Sequence, residues 1–176
     1  MASSAGQRQE RYLFDYLKFQ RCCALVIEGD AAVRGFLGMD ETSKCADAIG
    51  LHQPLDAPGA RRITVAESKG TDMNSAVEQL GNAAAGIFEK FGRETSVNLL
   101  LMVRALVARP SGSLSPGQGY HVEPLQTGRN KFTLQESMGG PPLRAKPTVT
   151  YPDWARWYPQ VALLPIVVLV LNDPPS

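Results

Sequence analysis

The stretch from Val97 to Ala108, VNLLLMVRALVA, is apolar on both of its alternating faces. Successive side chains of a β-strand point to opposite sides, so such a strand leaves no side for water. It has to run through the middle of a sheet covered by helices on both faces, and Pro110 ends it. The chain around it is therefore expected to be α/β and layered.

One covering helix is legible. Met73, Ala76, Val77, Leu80, Ala84, Ile87, Phe88 and Phe91 recur at the three-and-four spacing of a buried stripe, Asp72 precedes them as an N-cap, and Gly92 follows as a C-cap. Gln79 falls on the flank of that stripe, on the side of Ala76 and Ala83. Arg8 to Ile27, with Leu13, Leu17, Ala24 and Ile27 as its apolar positions, predicts an amphipathic helix stopped at Glu28-Gly29-Asp30. Ala31 to Met39 reads equally as a short helix or a strand, and Asp40 to Lys44 as a turn.

The chemistry concentrates in Arg61 to Thr71, RRITVAESKGT, an alternating strand that ends in Glu67-Ser68-Lys69. Ile63, Val65, Glu67 and Lys69 share one face, with Thr64, Ala66 and Ser68 on the other. Glu67 and Lys69 therefore stand side by side, about 7 Å apart along the strand. A carboxylate there can hold a hard divalent cation while the ammonium faces charge developing on a substrate, which suits phosphodiester hydrolysis. Asp47 opens a second short apolar strand that runs to Leu51, and Gln53 to Gly59 between the two is rich in Pro, Gly and Asp, as a turn should be. Pairing of the two strands would bring Asp47 close to Glu67.

Asp47, then Glu67-x-Lys69 on a strand, then a helix carrying Gln79, resembles the PD-(D/E)xK nuclease superfamily, over roughly Arg8 to Arg109. Ala46 stands where the family name has Pro, and Gln79 is followed four residues later by Ala83 rather than an aromatic, so only the glutamine carries over. The resemblance implies a restriction-endonuclease-like α/β core at about 8–109, a mixed central sheet flanked by helices, with a C-terminal β/loop extension at about 110–176 in one domain. It also implies a nuclease acting on nucleic acid, DNA before RNA, with Mg²⁺ (Mn²⁺ substituting) held by Asp47, Glu67 and the carbonyl of Ser68. Lys69 would then orient the attacking water or stabilise transition-state charge, and Gln79 would position the site. A first-helix acid, Glu10 or Asp15, sometimes completes such sites. The alternative is a catalytically inactive binding or assembly module on the same fold.

Charge adds a constraint. Eighteen Lys and Arg against 17 Asp and Glu leave a net charge of +1, so no global basic field steers nucleic acid and contacts must come from local groups. Arg61, Arg62 and Lys69 form one such group at the candidate site; Arg129, Lys131, Arg144 and Lys146 form another. Trp154 and Trp157 could stack on bases but suit packing better. His121 followed by Asn130 is a faint ββα-metal pattern without a second histidine, and His52 reads as a turn residue.

Three cysteines, with Cys22 and Cys23 adjacent, make neither a disulfide framework nor a zinc spacing and are expected as buried thiols in a reducing cytoplasm. No signal peptide is expected at the N-terminus. Ser111 to Gly119 reads as a loop, and Tyr120 to Leu125 with Lys131 to Gln135 as a hairpin. Val161 to Leu171 is too short for a membrane span, which needs about 20 residues. It reads as a final buried strand, with Pro165 at an edge or bulge, that joins the main sheet or pairs two copies in a homodimer.

Overall fold

A computed structural model describes residues 5–69, 73–104, 120–122, 158–164 and 166–171 of the chain. The order is α1 (Ala5–Asp15), β1 (Leu25–Glu28), α2 (Asp30–Leu37), β2 (Ala48–Leu51), β3 (Arg62–Lys69), α3 (Met73–Phe91), β4 (Ser96–Arg104), β5 (Tyr120–Val122), a 3₁₀ turn (Pro159–Leu163) and β6 (Ile166–Leu171). The strands form one mixed sheet in the order β1-β2-β3-β4-β6-β5. β1, β2 and β3 are antiparallel neighbours, whereas β3–β4, β4–β6 and β6–β5 are parallel. The chain is thus α/β, with helices on both faces of the sheet.

β4 occupies the place its sequence demands. Leu99 and Leu101 are buried on the α3 side and Leu100 and Met102 on the α1 side. Ile49, Ile63, Val65, Leu99 and Leu101 pack with Ala76, Leu80, Ala83 and Ile87 of α3. On the opposite face Ala48, Ala66, Leu100, Met102 and Leu169 pack with Leu13, Phe14 and Leu17 of the first helical segment. Each fully buried Leu or Ile contributes roughly 1.5–3 kcal/mol relative to exposure, and such residues lie on both faces of β4. α3 keeps its expected bounds, and Gly92 closes it at φ 103°, a left-handed conformation that glycine adopts without steric cost.

Two expectations are corrected. The helix does not reach Ile27: α1 continues only as a π-turn over Tyr16–Gln20, Cys22 turns the chain at φ 54°, and Leu25–Glu28 is strand. Contiguous Leu25-Val26-Ile27 gains backbone pairing with β2, which a helix would deny it (Leu25 opposite Leu51, Ile27 opposite Ile49). The final strand joins the main sheet, as one of its two readings had it, but with a later start. β6 lies inside the sheet between β4 and β5, and Val161 and Ile166 belong to the core on the α3 side. The strand starts only at Ile166, because Pro159–Leu163 forms the 3₁₀ turn.

Ala31 to Met39 resolves as the helix α2. Tyr120–Val122 is a strand as expected, but it pairs with β6 in parallel; the proposed hairpin partner at Lys131 to Gln135 lies outside the described residues. So do Asp72, the loop from Ser111 to Gly119, Asn130, Trp154, Trp157, Pro165 and the basic group Arg129, Lys131, Arg144 and Lys146. No helix among the described residues is long and apolar enough to cross a membrane.

Candidate functional site

Antiparallel pairing sets the site. Ala48 lies opposite Ala66, so one step further Asp47 falls opposite Glu67 and on the same face. Gly29, at φ 98°, makes the sharp turn from β1 into α2 and donates its N–H to the Asp47 carbonyl at 2.8 Å, which fixes the start of β2. The Asp47 carboxylate reaches across the strand pair and accepts the N–H of Ser68 at 2.9 Å (Oδ2). In an antiparallel pair a residue's N–H and C=O face the same neighbour, so the Ser68 carbonyl projects from that same edge of β3.

Glu67 is a buried carboxyl, 1% exposed, at the end of an apolar strand. Burial, a hydrogen bond with Asp47 and the charge of Asp47 push its pKa up to about 10, against a smaller opposing pull from Lys69. At neutral pH it is therefore protonated and able to donate to the Asp47 carboxylate. Its Oε2 is buried with no hydrogen-bond partner among the described residues. An unsatisfied buried oxygen costs stability, and a cation that displaced the shared proton would bridge the two carboxylates and satisfy that oxygen. The donor set, two carboxylates and a main-chain carbonyl, is all oxygen and fits a hard divalent ion. Among the described residues, however, no group of three or more His, Cys, Asp or Glu side chains is drawn together as a ready-made cage.

Of the two first-helix acids, Glu10 is the one that feels the charge of Asp47, without forming a three-acid cluster with Asp47 and Glu67. Its pKa is raised by partial burial and by the charges of Asp47 and Asp30. Asp15 is exposed at the far end of α1. Asp30, at the start of α2, is paired with Arg34 at 3.1 Å. Lys69, half-buried, ends β3 two residues beyond Glu67 on the same face. Gln79 lies on α3, over that face, but its amide oxygen accepts the Ser75 hydroxyl at 3.4 Å within its own helix rather than reaching the carboxylates.

The basic group at the site is corrected as well. Arg62 starts β3 and Lys69 ends it, so the arginines lie at the opposite end of the strand, about 23 Å away at 3.3 Å per residue. Arg61 spends its guanidinium on the turn carbonyls of Pro54 (3.4 Å) and Leu55 and lies 5.1 Å from the Phe91 ring centroid. Only Lys69 of that group stays with the carboxylates.

Sequence reasoning missed Gln9. It is 1% exposed, and its side-chain amide donates to the carbonyl of Lys69 at 3.0 Å and to that of Met102 at 3.2 Å. The signal was present: Gln9 precedes Leu13 by four residues and so sits on the helix's buried stripe, where a polar side chain needs a partner.

The cysteines and His52 make no second active centre. Cys22 is exposed and only Cys45 is fully buried, so the expectation of three buried thiols fails. Cys23 Sγ is 4.0 and 3.9 Å from the two ring nitrogens of His52, equidistant rather than aimed at one, while His52 Nε2 is 2.8 Å from Thr64 Oγ1. Burial pushes the Cys23 thiol up to about 11 and lowers His52; a nucleophilic thiol needs the reverse. The cluster instead fills space above Gly50, where an added Cβ would meet Cys23 Sγ at 2.5 Å. His121, in β5 opposite Val167, belongs to another part of the sheet. A cavity of about 530 Å³ lined by Leu37, Lys44, Asn82, Arg93 and Tyr158 includes none of the candidate site residues in its wall.

In comparisons with family models, curated proteins and solved structures, nothing matches this chain.

Proposed function

We propose that the chain is a divalent-cation-dependent nuclease of the PD-(D/E)xK type on a restriction-endonuclease-like core. The observation that carries this reading is the buried Glu67 carboxyl, with an orphan oxygen, facing the half-buried Asp47 across the strand pair and two residues from Lys69 at a strand end. The chain order supports it: a helix, three antiparallel strands with the short helix α2 between the first two, a helix and a parallel strand. Asp47, Glu67 and the Ser68 carbonyl would hold Mg²⁺ or Mn²⁺, with Glu10 beside them. The bound ion would supply Lewis acidity and a water of lowered pKa. Lys69 presents a compact positive charge to the phosphoryl oxygens as charge builds on them. Gln79, bonded to Ser75 within α3, would join the site only where substrate draws its amide away from that bond.

A specific observation favours the second reading, an inactive binding or assembly module: no ready-made cage of three or more ligand side chains exists among the described residues. Incubation with plasmid, linear single-stranded DNA and RNA, with and without Mg²⁺ or Mn²⁺, separates the two. Cation-dependent cleavage, DNA before RNA, that is lost in Asp47→Asn supports the nuclease. No cleavage together with no Mn²⁺ binding at these carboxylates leaves the module.

A further inference from the structure

We propose that Gln9 is a positioning residue that clamps the main chain of Lys69 by tying the last residue of β3 to β4 and to the first helix. This rests on the nuclease reading for its functional consequence, though not for its geometry. A primary amide carries two N–H donors, and Gln9 directs its nitrogen at two carbonyls, Lys69 O at 3.0 Å and Met102 O at 3.2 Å. Ser68 pairs with Met102 and Lys69 with Val103 in the β3–β4 register, so the two acceptors belong to adjacent strands at the same end of the sheet.

The position is unusual for its chemistry. The inner side of the first helical segment is otherwise Leu13, Phe14, Tyr16 and Leu17, all buried, and an apolar side chain at residue 9 would continue that packing. A buried amide is instead costly unless hydrogen-bonded. What it gains is a fixed strand end. Lys69 is the last residue of β3, where ladder bonds run out and local opening is easiest. A lysine side chain has large rotamer entropy, so its ammonium is only as well placed as the main chain that carries it. Gln9 also lies next to Glu10 in α1, so the same bonds hold that acid near Asp47.

The test is a double-mutant cycle with a spectroscopic control. Gln9→Met keeps volume and removes the donors; Gln9→Asn, too short to span both carbonyls, replaces it if the methionine variant does not fold. Carbonyl-carbon resonances of Lys69 and Met102 are expected to move in the variant while those of β2 stay in place. In the wild-type background kcat is expected to fall about 10-fold at unchanged KM. In the Lys69→Ala background the same substitution is expected to cost nothing further, since residues acting through one another are non-additive. A loss of equal size in both backgrounds, wild-type kcat in the variant, or unmoved carbonyl resonances would each overturn the proposal. A wild-type protein that cleaves nothing, with resonances that move as expected, would remove the nuclease reading and leave the clamp standing.

Discussion

The Asp47 carboxylate accepts the main-chain N–H of Ser68 at 2.9 Å, one residue beyond its own cross-strand neighbour Glu67. That bond holds one carboxylate against the strand end while the other, Glu67, is buried beside it with an unsatisfied oxygen. The pair is stable only with a proton or a cation between them, and each alternative has a measurable consequence.

For the metal-free protein, the sign follows from Glu67. Its folded pKa, about 10, lies above its ordinary value of 4.5, so its contribution to stability is complete below that ordinary value and is lost as pH rises toward 10. Thermal melts are expected to show Tm falling between about pH 6 and 9. Glu67→Gln is expected to flatten that slope, to raise Tm at pH 8 by at least several degrees, and to abolish cleavage. A variant that melts lower than wild type at pH 8 would contradict the buried-proton account.

Lys69→Ala is expected to leave the melt intact and reduce cleavage by roughly 10²–10³-fold, the cost of losing one preorganised charge at the transition state. Lys69→Arg should rescue poorly, because a planar guanidinium does not replace a point charge. The check is kcat under saturating Mn²⁺; full activity in the alanine variant excludes Lys69 from the chemistry.

The two first-helix acids should separate cleanly. Glu10→Gln is expected to weaken Mn²⁺ binding by roughly 10-fold, in the range seen when an outer partner of a metal site is removed. Asp15→Asn, exposed at the other end of α1, is expected to bind Mn²⁺ as wild type does. Isothermal titration decides it, and equal affinities for the two variants would detach Glu10 from the site.

Truncation after Tyr158 removes β6, a strand with a neighbour on each side. The expected product is insoluble or molten, since the exposed edge of β4 and the loss of buried Ile166 and Leu169 strike both cores. A soluble truncated monomer, by light scattering and far-UV circular dichroism, would instead mean that β6 serves association between copies.

Local pattern was enough for β4, α3 and the Glu67-x-Lys69 strand. A doubly apolar run, a stripe at helical spacing and strict alternation each have one low-energy solution, whatever the rest of the chain does. Asp47 was legible as a strand opener for the same reason. The antiparallel register that sets it opposite Glu67 was legible only as an expectation, because a slip of one residue turns every side chain to the other face.

Long-range contacts decided the rest. Leu25–Glu28 is strand because β2 is there to pair with it, and Arg61 and Arg62 leave the site because an extended strand carries its two ends far apart. Glu10 rather than Asp15 feels the charge of Asp47, and Gln9 finds carbonyls 60 and 93 residues away. By itself, the sequence determined which segments must be buried and which carry charge. Only the tertiary structure decided which buried groups meet, because hydrogen bonds and desolvation act between neighbours in space, and sequence separation carries no measure of that distance.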